Sequence, residues 1–214
     1  MRKKNIYKTI LYLLKLISNK LSFTFLFIII ISIANANGGF DNGTATGKNK
    51  FQIDITYNPF GKISFGQSYS VISYGFTDYL DFHGYISNHQ EGFNSWYGGI
   101  FYQFLNHEKI HLATAVGIRG RFDLSNFQHI FLPQLLYTVL ITDRISIGGS
   151  FVNVYDKPEE YNYGFAKDIS ISYKLRYKNK SIENVSLTVG LFNPVTWEPK
   201  SNFVPTYSID IKFN

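Results

Sequence analysis

Cysteine is absent from the 214 residues, which excludes a disulfide scaffold and any thiolate-held zinc or iron–sulfur centre. Charge is scarce, at 17% of residues, while aromatics reach 18%, with 20 Phe and 16 Tyr. A disordered chain would be poor in aromatics, so that class is excluded too. No long apolar run recurs, which rules out a bundle of membrane-crossing helices. Acid is missing from the first 36 residues, which hold Arg2, Lys3, Lys4, Lys8, Lys15 and Lys20. These six side chains account for the whole formal charge of +6, and the remainder is neutral. The basic excess therefore does not point to nucleic acid, which would need it on the folded part.

Residues 21–33 (LSFTFLFIIIISI) form an apolar stretch behind a basic region. Ala34-Asn35-Ala36 then supplies a small-x-small cleavage pattern. The pattern predicts a signal peptide over 1–36, cleaved after Ala36. The alternative is an uncleaved anchor, since the basic region has an apolar patch of its own from Ile10 to Leu14. Both predict export of the rest. Asn37 to Lys50 (NGGFDNGTATGKNK) is rich in Gly, Asn and Thr and is expected to form a flexible periplasmic lead-in.

From Phe51 the pattern changes. Phe51-Gln-Ile-Asp-Ile-Thr-Tyr57 alternates apolar and polar residues, as do Ile169 to Tyr177 and Val185 to Leu191. Strict alternation is a strand signal, because successive side chains point to opposite faces. It predicts ten strands, near 51–57, 62–75, 80–87, 96–105, 110–119, 131–142, 145–155, 168–178, 184–192 and 204–213. The nearly continuous apolar run of 131–142 also fits a buried helix, but Pro133 and the β-branched content favour a strand end there. Short connections, such as Thr77 to Tyr79 and Asp143-Arg144, alternate with longer ones, such as Asn88 to Ser95, Gly120 to Ile130, Asp156 to Lys167 and Phe192 to Phe203. In a meander, all the tight turns then lie at one end, as in outer-membrane barrels.

One face of these strands is uniformly apolar: Phe51, Ile53, Ile55 and Tyr57; Leu80, Phe82 and Ile86; Val185, Leu187, Val189 and Leu191. The other is polar, with both signs of charge. Several segments reach the length a tilted strand needs to cross a bilayer. Tyr57, Tyr69, Tyr85, Tyr97, Phe131, Tyr155 and Tyr177 fall near segment ends, where aromatic girdles would sit. The predicted fold is all-β: a closed antiparallel up-and-down transmembrane barrel of about ten strands over 51–214. An open edge in lipid would leave backbone groups unpaired, so the first strand must pair with the last. The alternative from alternation alone is a secreted, soluble β-sandwich that binds a ligand.

The last strand ends Tyr207-Ser-Ile209-Asp-Ile211-Lys-Phe213-Asn214. It resembles the terminal strand of bacterial outer-membrane β-barrel proteins, in which a final aromatic follows apolar residues at every second position. Asn214 departs from that pattern by placing Phe213 next to last. The resemblance implies residence in the outer membrane of a Gram-negative cell, contact with its lipid, and recognition of Tyr207, Ile209, Ile211 and Phe213 by the barrel-assembly machinery. No metal-ligand spacing appears among the five His, and no cofactor is expected.

Function is less legible. Asp81 and His83 lie two apart on one strand and face the lumen, with Ser87 beyond them. Asp, His and Ser are what acyl transfer or hydrolysis needs, so an enzyme acting on lipid or peptide is one expectation. Positions i and i+2 stand about 6.5–7 Å apart, however, too far for a direct Asp–His bond. The bland alternative, a hydrogen-bonded polar network filling a narrow lumen, is favoured. Asp54, Asp168, Lys174, Arg176, Asp210 and Lys212 are further lumen candidates, either as a charged constriction or as internal ion pairs. Arg119 and Arg121 close a strand at its external end, where their forks would suit lipopolysaccharide phosphates, but plain solvation of the loop end is the favoured reading. The leading expectation is a passive role, as a narrow pore for small solutes or a structural surface protein.

Overall fold

A computed structural model describes residues 42–58, 67–88, 94–125, 127–131, 133–156, 163–176, 180–196 and 203–214. The leader predicted over 1–36 lies outside them. Eleven strands follow in chain order: β1 (Phe51–Asn58), β2 (Gln67–Gly75), β3 (Leu80–Asn88), β4 (Asn94–Asn106), β5 (Ile110–Arg121), β6 (Phe127–Phe131), β7 (Leu135–Leu140), β8 (Ile145–Asp156), β9 (Tyr163–Lys174), β10 (Ile182–Thr196) and β11 (Val204–Phe213).

All pairings between these strands are antiparallel, and β1 closes on β11 with Phe51 opposite Phe213 and Tyr57 opposite Tyr207. β6 and β7 share one place in the wall, since both lie between β5 and β8. The sheet is therefore a closed up-and-down barrel of ten staves. A sandwich would need two packed sheets, and here one sheet closes on itself.

The interrupted stave corrects the strand expected over 131–142. Pro133 stands in the break and has no N–H to give the ladder. Pairing resumes when the Gln134 N–H donates to the Ala115 carbonyl at 3.1 Å. The stave also starts at Phe127, inside the predicted 120–130 loop.

Two of the tight turns use the same chemistry. The Thr77 hydroxyl accepts the N–H of Tyr79 at 3.1 Å and of Leu80 at 2.9 Å. The Thr142 hydroxyl does the same for Arg144 at 3.2 Å and Ile145 at 3.0 Å. A side-chain oxygen standing in for a backbone acceptor is why Thr followed by Asp makes a turn at both places. These turns share one end of the barrel with 107–109, 175–176 and 180–181, here called the turn end. At the loop end the strands are separated by 59–66, 89–93, 122–126, 157–162 and 197–203. The last four gaps are narrower than alternation predicts, because β4, β6 and β9 start earlier and β10 runs on to Thr196, whereas 59–66 is wider than the predicted 58–61 because β2 begins at Gln67.

Alternation sorts the side chains as expected. Ile169, Ile171 and Tyr173 on β9, with Leu187, Val189 and Leu191 on β10, stand outside and are 39–53% exposed. Asp168, Ser170 and Thr188 between them are buried inside. A closed barrel with an apolar outside has nothing to cover that surface in water, which is the outward pattern of a barrel built to stand in a bilayer. With strands of 12–13 residues at β4, β5, β8 and β9, the wall is long enough to cross a bilayer at a tilt. The girdle expectation is corrected at four positions. Tyr69, Tyr85 and Tyr97 share the inward parity of Ser87 and Ser95 and stack inside the lumen, and Phe131, opposite Gly117, meets Tyr97 there.

Candidate functional site

The lumen has two unlike sides. Along β2 to β6 it is filled by rings. Tyr85 stacks on Tyr97 with centroids 5.2 Å apart, and Tyr69 meets Tyr85 edge-on at 4.7 Å. Phe131 and His83 meet Tyr97 edge-on at 5.0 and 5.1 Å. Tyr97 can lie flat because Gly99 and Gly117 sit beneath it, where a Cβ would strike its ring.

Along β8 to β1 the lumen is lined by hydroxyls and carboxylates. Asp210 accepts the Ser208 hydroxyl on Oδ1 at 2.5 Å and the Thr188 hydroxyl on Oδ2 at 2.7 Å. A hydroxyl has one proton, so Thr188 must accept from Ser172 across 2.7 Å. Thr56 donates to Ser208 at 3.2 Å. One carboxylate thus orients hydroxyls from four neighbouring strands. Ser150 donates to Asp168 on the same side.

The turn-end mouth carries the charge. Lys50 Nζ lies 2.7 Å from Glu183 and Lys212 Nζ 3.8 Å from it. A cavity of about 470 Å³ opens here, lined among others by Gln52, His111, Arg144, Lys174, Glu183, Asp210 and Lys212.

The predicted site residues divide as follows. Asp54 stands opposite Asp210 across the β1–β11 seam and accepts from Gln52 Nε2 at 2.8 Å. Lys174, Asp210 and Lys212 come together at the mouth, whereas Arg176 lies beyond the end of β9 and is exposed. Asp81 and His83 are both buried, but they bond in different directions. Asp81 Oδ2 accepts the Thr46 N–H at 2.6 Å, and His83 Nε2 lies 2.9 Å from the Tyr97 hydroxyl. Arg121 forks onto Asp123, with Nε to Oδ1 at 2.8 Å. That hydrogen bond and the guanidinium charge hold the Asp123 carboxyl below the usual aspartate range. Among the described residues no three His, Asp or Glu side chains converge as a metal centre requires.

Glu183, Lys50 and His111 escaped the sequence reading. A signal existed for the first two: once β1 closes on β11, positions 50, 212 and 183 must meet at one end. None existed for residues 42–50, the last part of the predicted lead-in, which run along the inside of the wall. Asn49 N–H donates to the Gly75 carbonyl at 2.8 Å, Ala45 N–H to Gln103 Oε1 at 2.8 Å, and Gly43 N–H to Thr138 Oγ1 at 3.0 Å. Thr44 Oγ1 lies 2.8 Å from His111 Nδ1.

Together these features define a small transmembrane β-barrel with a polar, partly filled lumen. No family model matches the chain, and no curated protein matches it. Among solved structures it is similar to one described as "KdgM porin", at 12% identity and a TM-score of 0.48. It is likewise similar to "KdgM porin in complex with disordered oligogalacturonate", at 10% identity and a TM-score of 0.47. Each likeness covers 77% of this chain and 98% of the other. Nothing about cargo follows from likeness at this level.

Proposed function

We propose that this chain is a bacterial outer-membrane barrel that passes small solutes through its lumen. The observation that carries the proposal is the inversion of the barrel: apolar outside, polar inside, with a charged cavity of about 470 Å³ at the turn-end mouth. A closed barrel needs no polar interior merely to stand in lipid, and a water-lined lumen is what a hydrophilic solute requires. The signal peptide over 1–36 would deliver the chain, and Tyr207, Ile209, Ile211 and Phe213 would present its last strand to the assembly machinery. Outer-membrane lipid would cover the outer face. In this reading Lys174, Asp210 and Lys212 meet the solute at the mouth, and Asp54 and Asp168 line its path.

The test is to refold residues 37–214 in detergent, confirm that gel mobility shifts on heating, and record from a planar bilayer. Discrete conductance steps from the heat-modifiable protein are expected. A silent bilayer from the same protein overturns the pore. Fractionation with outer-membrane markers, and an N-terminus at Asn37, are the expected results for location and cleavage.

A further inference from the structure

Residues 43–46 are bound as a short peptide is bound. Each wall strand from β3 to β7, apart from the β6 segment, offers an acceptor or a ring nitrogen to the segment that crosses it. Asp81 Oδ2 on β3 takes the Thr46 N–H at 2.6 Å, and Gln103 Oε1 on β4 takes the Ala45 N–H at 2.8 Å. His111 Nδ1 on β5 meets the Thr44 hydroxyl at 2.8 Å, and Thr138 Oγ1 on β7 takes the Gly43 N–H at 3.0 Å. Three of the four contacts use main-chain N–H groups, which any extended peptide has. The side chains must be small. A Cβ on Gly43 would run into the His111 carbonyl oxygen, and Ala45 is buried among Phe101, Ala113, Ala115 and Leu136.

The approach to this track is also built. Gly47, at φ 89°, and Asn49, at φ 60°, turn the chain from the start of β1 into the lumen. Gly75 lets the turn press against the wall, since a Cβ there would collide with the Gly47 carbonyl oxygen. Beyond the turn the segment makes, among the described residues, no backbone ladder with the wall; side chains hold it, and the Thr44 hydroxyl also donates to Thr138 Oγ1 at 3.2 Å. Asn42, Thr44 and Ala45 form part of the boundary of the turn-end cavity. Asp81 Oδ1 is buried with no hydrogen-bond partner among the described residues, which leaves the track one acceptor to spare.

We propose that the inner faces of β3, β4, β5 and β7 form a binding track for an extended peptide of small residues. Residues 42–47 are its resident ligand, and they narrow the mouth of the pore. This rests on the reading of the lumen as a pore. A peptide entering from the turn end would compete for the same acceptors, so the resident segment acts as a displaceable constriction.

The test deletes residues 42–46 from the full chain and records conductance from heat-modifiable protein. Conductance is expected to rise about twofold, because the mouth loses one side of its constriction. Adding a free peptide with the sequence of residues 42–47 is expected to lower it again. Unchanged conductance on deletion, or a peptide without effect, overturns the proposal. If the deleted chain does not fold, Gly43→Pro with Thr46→Pro removes two N–H donors and leaves the wall untouched; the same rise is expected. Ala45→Cys separates this failure from that of the pore, because the chain has no other thiol. Slow reaction with a thiol reagent is expected when Ala45→Cys is the only change, and fast reaction when Gly43→Pro and Thr46→Pro are added to it. Fast reaction in the intact chain, with conductance present, overturns the seated segment and leaves the pore standing. A protected thiol with silent bilayers from every variant overturns the pore, and this proposal with it.

Discussion

On one side of the lumen β2 to β6 fill the interior with rings, and on the other β8 to β1 line it with hydroxyls and carboxylates. Both sides obey the same period-two rule, and both present an apolar outer face. The difference lies in what the inward positions do with their volume. Tyr85, Tyr97 and Phe131 exclude water by packing, so that side is held by dispersion and ring geometry. Asp210 and its hydroxyls fill little space and hold each other through directed bonds. A narrow barrel can thus be solid along one arc and wet along the other, and in the proposed pore the path for solute follows the wet arc.

Breaking the packed side should cost most. Tyr97→Ala removes the ring shared by Tyr85, His83 and Phe131, and a loss of about 3 kcal/mol is expected from urea unfolding in lipid vesicles. The same variant should conduct better, because the packed arc opens. Asp210→Ala breaks the wet side by leaving the Ser208 and Thr188 hydroxyls without their acceptor, at about 2 kcal/mol in the same assay. Asp210→Asn keeps an acceptor and should lose less. Glu183→Gln should change stability by under about 1 kcal/mol, since its ion pairs are partly exposed. It releases Lys50 and Lys212 from their acid, so the reversal potential in a salt gradient should shift towards anions. Asp123→Asn, outside both arcs, should lower the unfolding midpoint only slightly, since its pair with Arg121 is exposed. Titration of the Asp123 carboxyl should show a midpoint below that of an ordinary aspartate. Its stabilising effect is present above the unfolded value and fades as pH falls through the folded one.

The outer face was legible because hydrocarbon imposes one rule on every position there. Ile169, Ile171, Leu187 and Val189 could be assigned from alternation alone. The inner face obeys no such rule. Tyr69, Tyr85 and Tyr97 look like interface aromatics in sequence, and only cross-strand register shows that they stack on one another inside. Pro133 marked a break without showing that the stave resumes beyond it. Residues 42–47 were the least legible. Gly, Thr and Ala suit a loose linker and a tight extended segment equally, and the acceptors that hold them come from four distant strands.

Closure also has a consequence for synthesis. The seam joins Phe51 to Phe213, so the two strands that must meet are made first and last. Contacts between the far ends of a chain are slow to form, because the intervening loop must lose its freedom before they are made. A chain released before β11 is complete would keep two bare edges, on β1 and β10, each a row of unpaired backbone groups that hydrocarbon will not accept. Insertion therefore acts as a proof of length, since only a chain made to its final strand can enter the bilayer closed.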